Sequence, residues 1–431
     1  MRPGIGRGAH VSATLVVSGL LAMAFVSGCS SSGSSSSASA GGGSSSPAAA
    51  AKSPFVVVES LDFSGPGKAY GAGESLGLQV AANELNKSGG ILGHKVVIKE
   101  VNDESDPTQG VSGLQQLLSS GVTPNMVWAG SNSTVTQAEL PVLMSHKIIS
   151  FDATSASNLN DPSTYPYYFA TNQTVTSSVP AFVTIAKQHG WTKVAMIYGN
   201  DVSGQASEQA YQSALSAANI KLVSTSYSDT ALSMTPELDS LRSQSPDALI
   251  VSGFGTAAIY VVKSRAQIGW NLPTYADFLA SFQLYPLSLP AASLQNFKVE
   301  VQRSFISTDP LASDPVLQTM ITETKATTGG PAVLQSTGAS LVAPTYSALM
   351  MVNYAAKQAN SIDTAALKSA LEHLKAPTPP VPWVWYGSSD QIGNFSYTAA
   401  NHYGTAYDNA FSYVAAGVYN ADGLFQPSAS S

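Results

Sequence analysis

The stretch Phe55-Val56-Val57-Val58 is followed by a helix-patterned run, Tyr70 to Lys87, and then by a second β-rich run, Lys95 to Val101. The outer two are short and β-branched, as buried strands are. The middle one carries Leu76, Leu78, Val80, Ala81 and Leu85 as its apolar positions. The alternation continues with a helix over Gln109–Leu118, a strand at Met126–Ala129, a helix over Thr136–Met144 and a strand at Lys147–Phe151. Repeated βα units with continuously apolar strands predict a parallel sheet covered by helices on both faces.

After a polar stretch at Thr171–Ser178 the rhythm restarts. Helical patterns at Ala181–His189, Gly204–Ala218, Pro236–Ser243 and Ala257–Gln267 alternate with strands at Lys193–Tyr198, Lys221–Ser226 and Asp247–Val251, and the segment Leu272–Ala276 follows. Two successive βα sets predict an α/β chain of two doubly wound parallel-sheet lobes. The length agrees, because 431 residues exceed the roughly 250–300 that one core supports. Further helices are expected over Asp314–Thr327, Ala339–Ala359 and Thr364–Leu374. Phe411–Tyr419 alternates like an antiparallel or edge strand, and Asn420–Gly423 reads as a turn.

Composition narrows the function. Lys+Arg number 20 and Asp+Glu 27, for a net charge of −7, and only 11% of residues are charged. So few and such acidic charges argue against a nucleic-acid partner. The single cysteine, Cys29, excludes an internal disulfide, a Cys-based zinc site and a CxxC redox pair. It ends a basic, then apolar, then small-residue sequence: Arg2 and Arg7, an apolar run Val11–Val26, then Val26-Ser27-Gly28-Cys29. That is the layout of an export signal, and its last four residues resemble the lipobox of bacterial lipoproteins. The resemblance implies a signal peptide over 1–28 and lipidation of Cys29. Ser30–Ala51 holds only Ser, Gly, Ala and Pro. Such a segment buries too little to offset chain entropy, so 29–53 is expected to be a flexible tether.

In open α/β sheets ligands sit beyond the carboxyl ends of the strands. That rule selects the loops holding Ser64; Ser131, Asn132, Ser133 and Thr134; Asp152, Ala153 and Thr154; Tyr198 and Asp201; Phe254; and Asp277. Hydroxyls and free amides at a helix start suit an anion, although Ser and Thr there also serve as helix caps. Asp152, Asp201 and Asp277 are candidate partners for an ammonium group, or solvated loop acids. Catalytic signatures are missing. There is no strict dinucleotide fingerprint, P-loop, G-x-S-x-G elbow or H-E-x-x-H, and the six histidines are scattered. No enzyme, cofactor or metal is expected.

Several phrases combine into a family resemblance: Asp62-Phe63-Ser64-Gly65-Pro66, Tyr70-Gly71, Ala82-Asn83-Glu84-Leu85-Asn86, Gly89-Gly90-Ile91-Leu92-Gly93 and Asp103-Glu104-Ser105-Asp106-Pro107. Together they resemble the leucine/isoleucine/valine-binding family of ABC-transporter substrate-binding proteins, which has the type I periplasmic-binding fold. The resemblance implies two lobes joined by three crossings, placed near Thr171–Thr174, Ser304–Thr308 and Lys375–Pro382. The first lobe would comprise 54–172 with 308–376, the second 173–307 with 377–431. It implies carboxylate contacts at Ser131, Ser133 and Thr154 and an aromatic contact at Tyr70. Asp152 departs from the family, which presents a backbone carbonyl there, and Ser203 stands where an aromatic residue is common. Trp383, Trp385 and Tyr386 read as strand packing or as an aromatic wall of the cleft. The expected function is capture of a small polar ligand, an amino acid or related amide or carboxylate, by a monomeric lipid-anchored protein that serves an ABC permease. A ligand sensor on the same scaffold, and more remotely an amidase or other hydrolase, are the alternatives.

Overall fold

A computed structural model describes residues 52–172, 174–253, 256–284, 291–374, 397–404 and 411–428. The first lobe is built from β1 (Phe55–Leu61), α1 (Lys68–Lys87), β2 (Val96–Asn102), α2 (Pro107–Ser119), β3 (Met126–Trp128), α3 (Ser133–Ser145), β4 (Ile149–Asp152) and β5 (Tyr168–Ala170). Its five strands are parallel, in the order β2-β1-β3-β4-β5. The second lobe follows with α4 (Val179–Gln188), β6 (Lys193–Gly199), α5 (Val202–Ala217), β7 (Lys221–Tyr227), α6 (Thr235–Ser243), β8 (Ala248–Ser252), α7 (Ala257–Gln267), β9 (Thr274–Ala276), α8 (Phe278–Leu284) and β10 (Phe297–Gln302). The chain then adds α9 (Pro315–Ala326), α10 (Gly330–Thr337), α11 (Ala339–Ala359), α12 (Thr364–Glu372), β11 (Phe411–Ala415), β12 (Gly417–Tyr419) and β13 (Phe425–Pro427).

The second sheet runs β7-β6-β8-β9-β10 in parallel, the same winding as the first, with β11 added antiparallel on β10. Both sheets reverse strand order beside their first strand, at β1/β3 and at β6/β8. A doubly wound sheet opens its ligand crevice at that reversal.

Local chemistry explains why several helices begin earlier than periodicity alone suggests. Asp106 caps α2 by accepting from the amides of Thr108 and Gln109 at 2.7 and 3.0 Å, with Pro107 as the first helical residue. Asp314-Pro315 forms the same cap at α9, whose start at Pro315 is one residue later than expected. A proline is preorganised at that position and has no amide to leave unpaired.

The C-terminal region departs from the sequence reading. Phe411–Tyr419 is not one strand: it divides into β11 on the second sheet and β12, which pairs with β13. Gly417 lies against the Gln426 carbonyl, where a Cβ would come within 2.0 Å, so the two segments take different partners. The segment 377–431, expected to lie wholly in the second lobe, also splits. Tyr403 bridges to Ala170 of β5, and His402 is buried against Tyr168 and Glu372. The chain is therefore still on the first lobe at 397–404 and on the second sheet at 411. The crossing expected at Lys375–Pro382 lies outside the described residues. Trp383, Trp385 and Tyr386 lie outside them as well, as do Cys29 and the tether up to Ala51.

The lobe-one helices α1 and α11 meet in close contact. A Cβ on Gly77 would lie 2.1 Å from Thr345 Oγ1 and 2.2 Å from the Val342 carbonyl oxygen; one on Gly73 would lie 2.8 Å from Leu341 Cβ. Thr345 Oγ1 donates to the Glu74 carbonyl at 2.7 Å, locking the register. Substitution Gly77→Ala should therefore destabilise the protein. The helix-propensity gain of about 1 kcal/mol is outweighed because the clash is with backbone, and overpacking typically costs about 1–3 kcal/mol. A urea-unfolding midpoint at or above that of the parent protein would contradict this packing.

Candidate functional site

The loops after β1, β3 and β4 are each organised by an aspartate. Asp62 Oδ1 accepts from the amides of Ser64 (3.0 Å) and Gly65, and Oδ2 from Gly67 N and Ser105 Oγ at 2.7 and 2.6 Å. Asp103 accepts both the amide and the hydroxyl of Ser131, at 2.7 and 2.8 Å. Gly130, at φ 71°, makes the turn into this loop; a side chain there would meet the Thr136 amide at 2.5 Å. Asn132 caps α3 by accepting from Thr134 N and Val135 N at 3.0 and 3.1 Å.

These loops enclose a cavity that faces the second lobe. Ser131, Asn132, Ser133, Asp152, Ala153 and Thr154 line it, with Tyr70, and Ser203 enters from the second lobe. About 70 Å³ is open to the centres of water-sized molecules. The hydroxyl of Ser133 meets those of both Thr154 and Ser203. Nearby, the Val202 amide donates to Thr134 Oγ1 at 3.4 Å. The first turns of α3 and α5 thus touch across the cleft.

Not every expected residue reaches the cavity. Ser64 is exposed, and its hydroxyl accepts from Asn102 Nδ2 at 2.9 Å. Tyr198, the next-to-last residue of β6, is not part of the lining. Asp201 caps α5 through the Gly204 amide at 2.9 Å. Asp277 is buried, accepting from Ser207 Oγ at 2.7 Å and Ala280 N at 3.2 Å. Phe254 lies outside the described residues. Ser131 lines the cavity, but its two donors are directed at Asp103.

Ser155 and Phe278, just beyond the ends of β4 and β9, line it as well, and so do residues that the loop rule did not select: Glu74, Thr136, Asn172, Leu279, Leu341 and Pro344. Glu74 had a signal, since it stands four residues after Tyr70 on α1 and shares its face. Leu341 and Pro344 come from α11, distant in sequence, and nothing local marks them.

Buried carboxyls dominate the electrostatics. Asp152 Oδ1 accepts from Tyr168 Oη at 2.7 Å and Thr154 N at 3.0 Å, while Oδ2 has no partner among the described residues. Burial pushes Asp152 up to about 7, against the pull of those two donors. Burial raises Glu74 well above the carboxylate range; the Trp128 indole N–H at 3.4 Å opposes this, and the charges of Asp152, Asp103 and Glu59 add to it. Behind them, burial takes Glu59 to about 7 and Glu139 to about 8, each held by one serine hydroxyl. In the second lobe burial lifts Asp277 to about 6, Asp229 to about 7 and Glu300 to about 8. Among the described residues, no group of three or more His, Cys, Asp or Glu is placed to hold a metal ion.

The chain matches the periplasmic binding protein family over residues 60–401. It belongs to that family. Membership supports a solute-binding role and a location outside the cytoplasm; no described helix is long and apolar enough to cross a membrane. The Leu/Ile/Val-binding protein BraC3 of Rhizobium johnstonii is 44% identical over 59 residues, which is 14% of this chain and 16% of the relative. The match therefore spans about a sixth of that protein's length. A type 1 periplasmic binding protein from Bordetella pertussis Tohama I superimposes with a TM-score of 0.73 at 18% identity, over 84% of this chain and 96% of its own. A fatty acid ABC transporter substrate-binding protein from Thermomonospora curvata gives 0.62 at 17% identity, over 74% and 80%. At such identities the structures establish a shared fold, the type I periplasmic-binding architecture of two parallel-sheet lobes.

The buried acids set a pH dependence. Each has a folded pKa above its unfolded value near 4, so between about pH 4 and 8 the folded state holds more protons than the unfolded chain. Stability is then fully present at low pH and lost as pH rises through the folded values. His402, lowered mainly by burial, works in the opposite sense, but it is one group against the seven raised acids named above. Asp161, drawn down to about 2 by the Ser163 and Thr164 hydroxyls, acts below this window. The melting temperature of the ligand-free protein should fall steadily from pH 5 to pH 8. A rise over that interval would show that these carboxyls are ionised and paired in solution.

Proposed function

We propose that this protein is an extracytoplasmic solute-binding lipoprotein that captures a small polar ligand, an amino acid or a related amide or carboxylate, between its lobes and delivers it to an ABC permease. The observation that carries the reading is the contact of Ser133 with both Thr154 and Ser203. Hydroxyls from both lobes converge on one cavity, so a ligand held there bridges the lobes and favours the closed form. Closure driven by contacts that only the closed state makes is how such a protein signals occupancy. The Thermomonospora protein is described as an ABC transporter component, which supports the permease as the reader of the closed state. Asp152, Tyr70 and Ala153 complete the proposed ligand surface, and the protein acts as a monomer without turnover or cofactor.

The test is a thermal-shift and calorimetric screen of amino acids, amides, small acids and polyols, with mass spectrometry of the recovered solute. A bound and chemically unchanged solute is expected. Thr154→Ala and Ser203→Ala should each weaken it by about tenfold or more, since a hydrogen bond to a charged group contributes about 1.5–3 kcal/mol. A solute chemically altered by the pure protein would defeat the reading and favour the hydrolase alternative.

The anchor is separately testable. With Cys29→Ala the protein should leave the membrane fraction and appear in soluble form. Unchanged membrane association would remove Cys29 as the attachment point, leaving the cleft's role untouched.

A further inference from the structure

The cavity is built for one sign of charge. Asp152 is 2% exposed and presents an oxygen with no partner; Glu74, 5% exposed, lines the same cavity. No Lys, Arg or His is among the described residues that line it. A buried carboxylate without a counter-charge is costly, and a cation placed beside it relieves that cost.

Several donors that could hold an anion are already committed. The amides of Thr134 and Val135 at the start of α3 donate to Asn132. The Gly204 amide at the start of α5 donates to Asp201, itself an acid. The amide and hydroxyl of Ser131 both go to Asp103. The Ser133 hydroxyl is shared with those of Thr154 and Ser203, and that of Thr136 donates to the Ala129 carbonyl. A ligand carboxylate thus finds neither a fixed cation nor those helix-end amides. The lining also offers apolar surface from Phe278, Leu279, Leu341 and Pro344 and the ring of Tyr70.

We infer that the cavity recognises its ligand through a positively charged nitrogen set against Asp152 and Glu74, that the ligand's body packs on the apolar wall, and that a carboxylate on the ligand is dispensable. The ligand class is a small primary amine, amino acids binding through their ammonium end. This rests on the solute-binding reading above and narrows it.

The probes are matched compounds that differ only in the head group, on three apolar bodies. They are ethylamine, propanamide, propanoate and alanine; 3-methylbutylamine, 4-methylpentanamide, 4-methylpentanoate and leucine; and 2-phenylethylamine, 3-phenylpropanamide, 3-phenylpropanoate and phenylalanine. Calorimetry on the full chain should show, on at least one body, the amine binding about tenfold or more tightly than the carboxylate, as expected for one charge-assisted hydrogen bond. Asp152→Asn and Glu74→Gln keep shape and should each weaken the amine by a similar factor while changing the amide little; circular dichroism and melting confirm that both fold. Four results overturn the inference: a carboxylate that binds as tightly as its amine, an amino acid that binds where its amine does not, folded variants that keep the parent's affinity for the amine, or no binding by any of the twelve. Whether the cavity binds solutes at all is read by the broader screen and by Thr154→Ala and Ser203→Ala, so a solute found there with this inference overturned leaves the family role standing.

Discussion

Asp62 follows β1, Asp103 follows β2, Asp152 closes β4, Asp201 follows β6 and Asp277 follows β9. Each carboxylate accepts backbone amides from the loop that its strand feeds. The rest of the cleft depends on this interaction. A parallel strand releases its chain at the carboxyl edge with no partner strand to guide it, and its loop amides must be satisfied locally. A short carboxylate at the strand end does so two or three residues on, and in doing so fixes the direction in which the next helix starts. Ser133 and Ser203 face each other because Asn132 and Asp201 have fixed the first turns of α3 and α5 on opposite sides of the crevice.

The same residues give the interior its electrostatic character. Carboxyls that accept two or three amides tolerate burial, because hydrogen bonds to the charged form offset part of the desolvation. Asp62 and Asp103 are of this kind. Glu59, Glu139 and Asp152 are less well served, each retaining an oxygen with no partner among the described residues. The first two lie behind the cavity, where a proton is their natural companion. Asp152 is different in kind, because it lies on the cavity surface, where a ligand can supply what the protein withholds. An unpaired acid in a core is a stability cost, whereas the same acid on a ligand surface is a source of selectivity.

This division also explains what was legible in the sequence. The two sheets were, because buried parallel strands such as Phe55–Val58 and Ala248–Val251 read as continuous apolar runs. Loops at the switch points were too, since topology alone assigns them to the crevice. Within those loops the sequence could not separate a cap from a contact. Asn132 and Asp201 cap, Ser131 supports, and Ser133 and Thr154 face the cavity, yet all are small polar residues at helix or loop starts. Glu74 was missed because an acid on an amphipathic helix looks like a solvated position. Its burial comes from α11, more than 250 residues away, pressed close by Gly73 and Gly77. The C-terminal segment was misplaced for the same reason, since the partner that holds Tyr403 is β5.

That segment ties the cavity to β5, the edge strand of the first sheet. Tyr168 Oη donates to Asp152 and lies 3.3 Å from Tyr403 Oη, which donates to the Ala156 carbonyl at 2.8 Å. His402 contacts the Tyr168 carbonyl through Nδ1 at 2.8 Å and Glu372 through Nε2 at 3.1 Å, and Glu372 pairs with Lys368. Asp152 and the residues just before the passage to β11 therefore belong to one buried network. Buried polar networks are costly when half satisfied and rigid when complete. Tyr168 also packs edge-on against Tyr403, with ring centroids 6.2 Å apart.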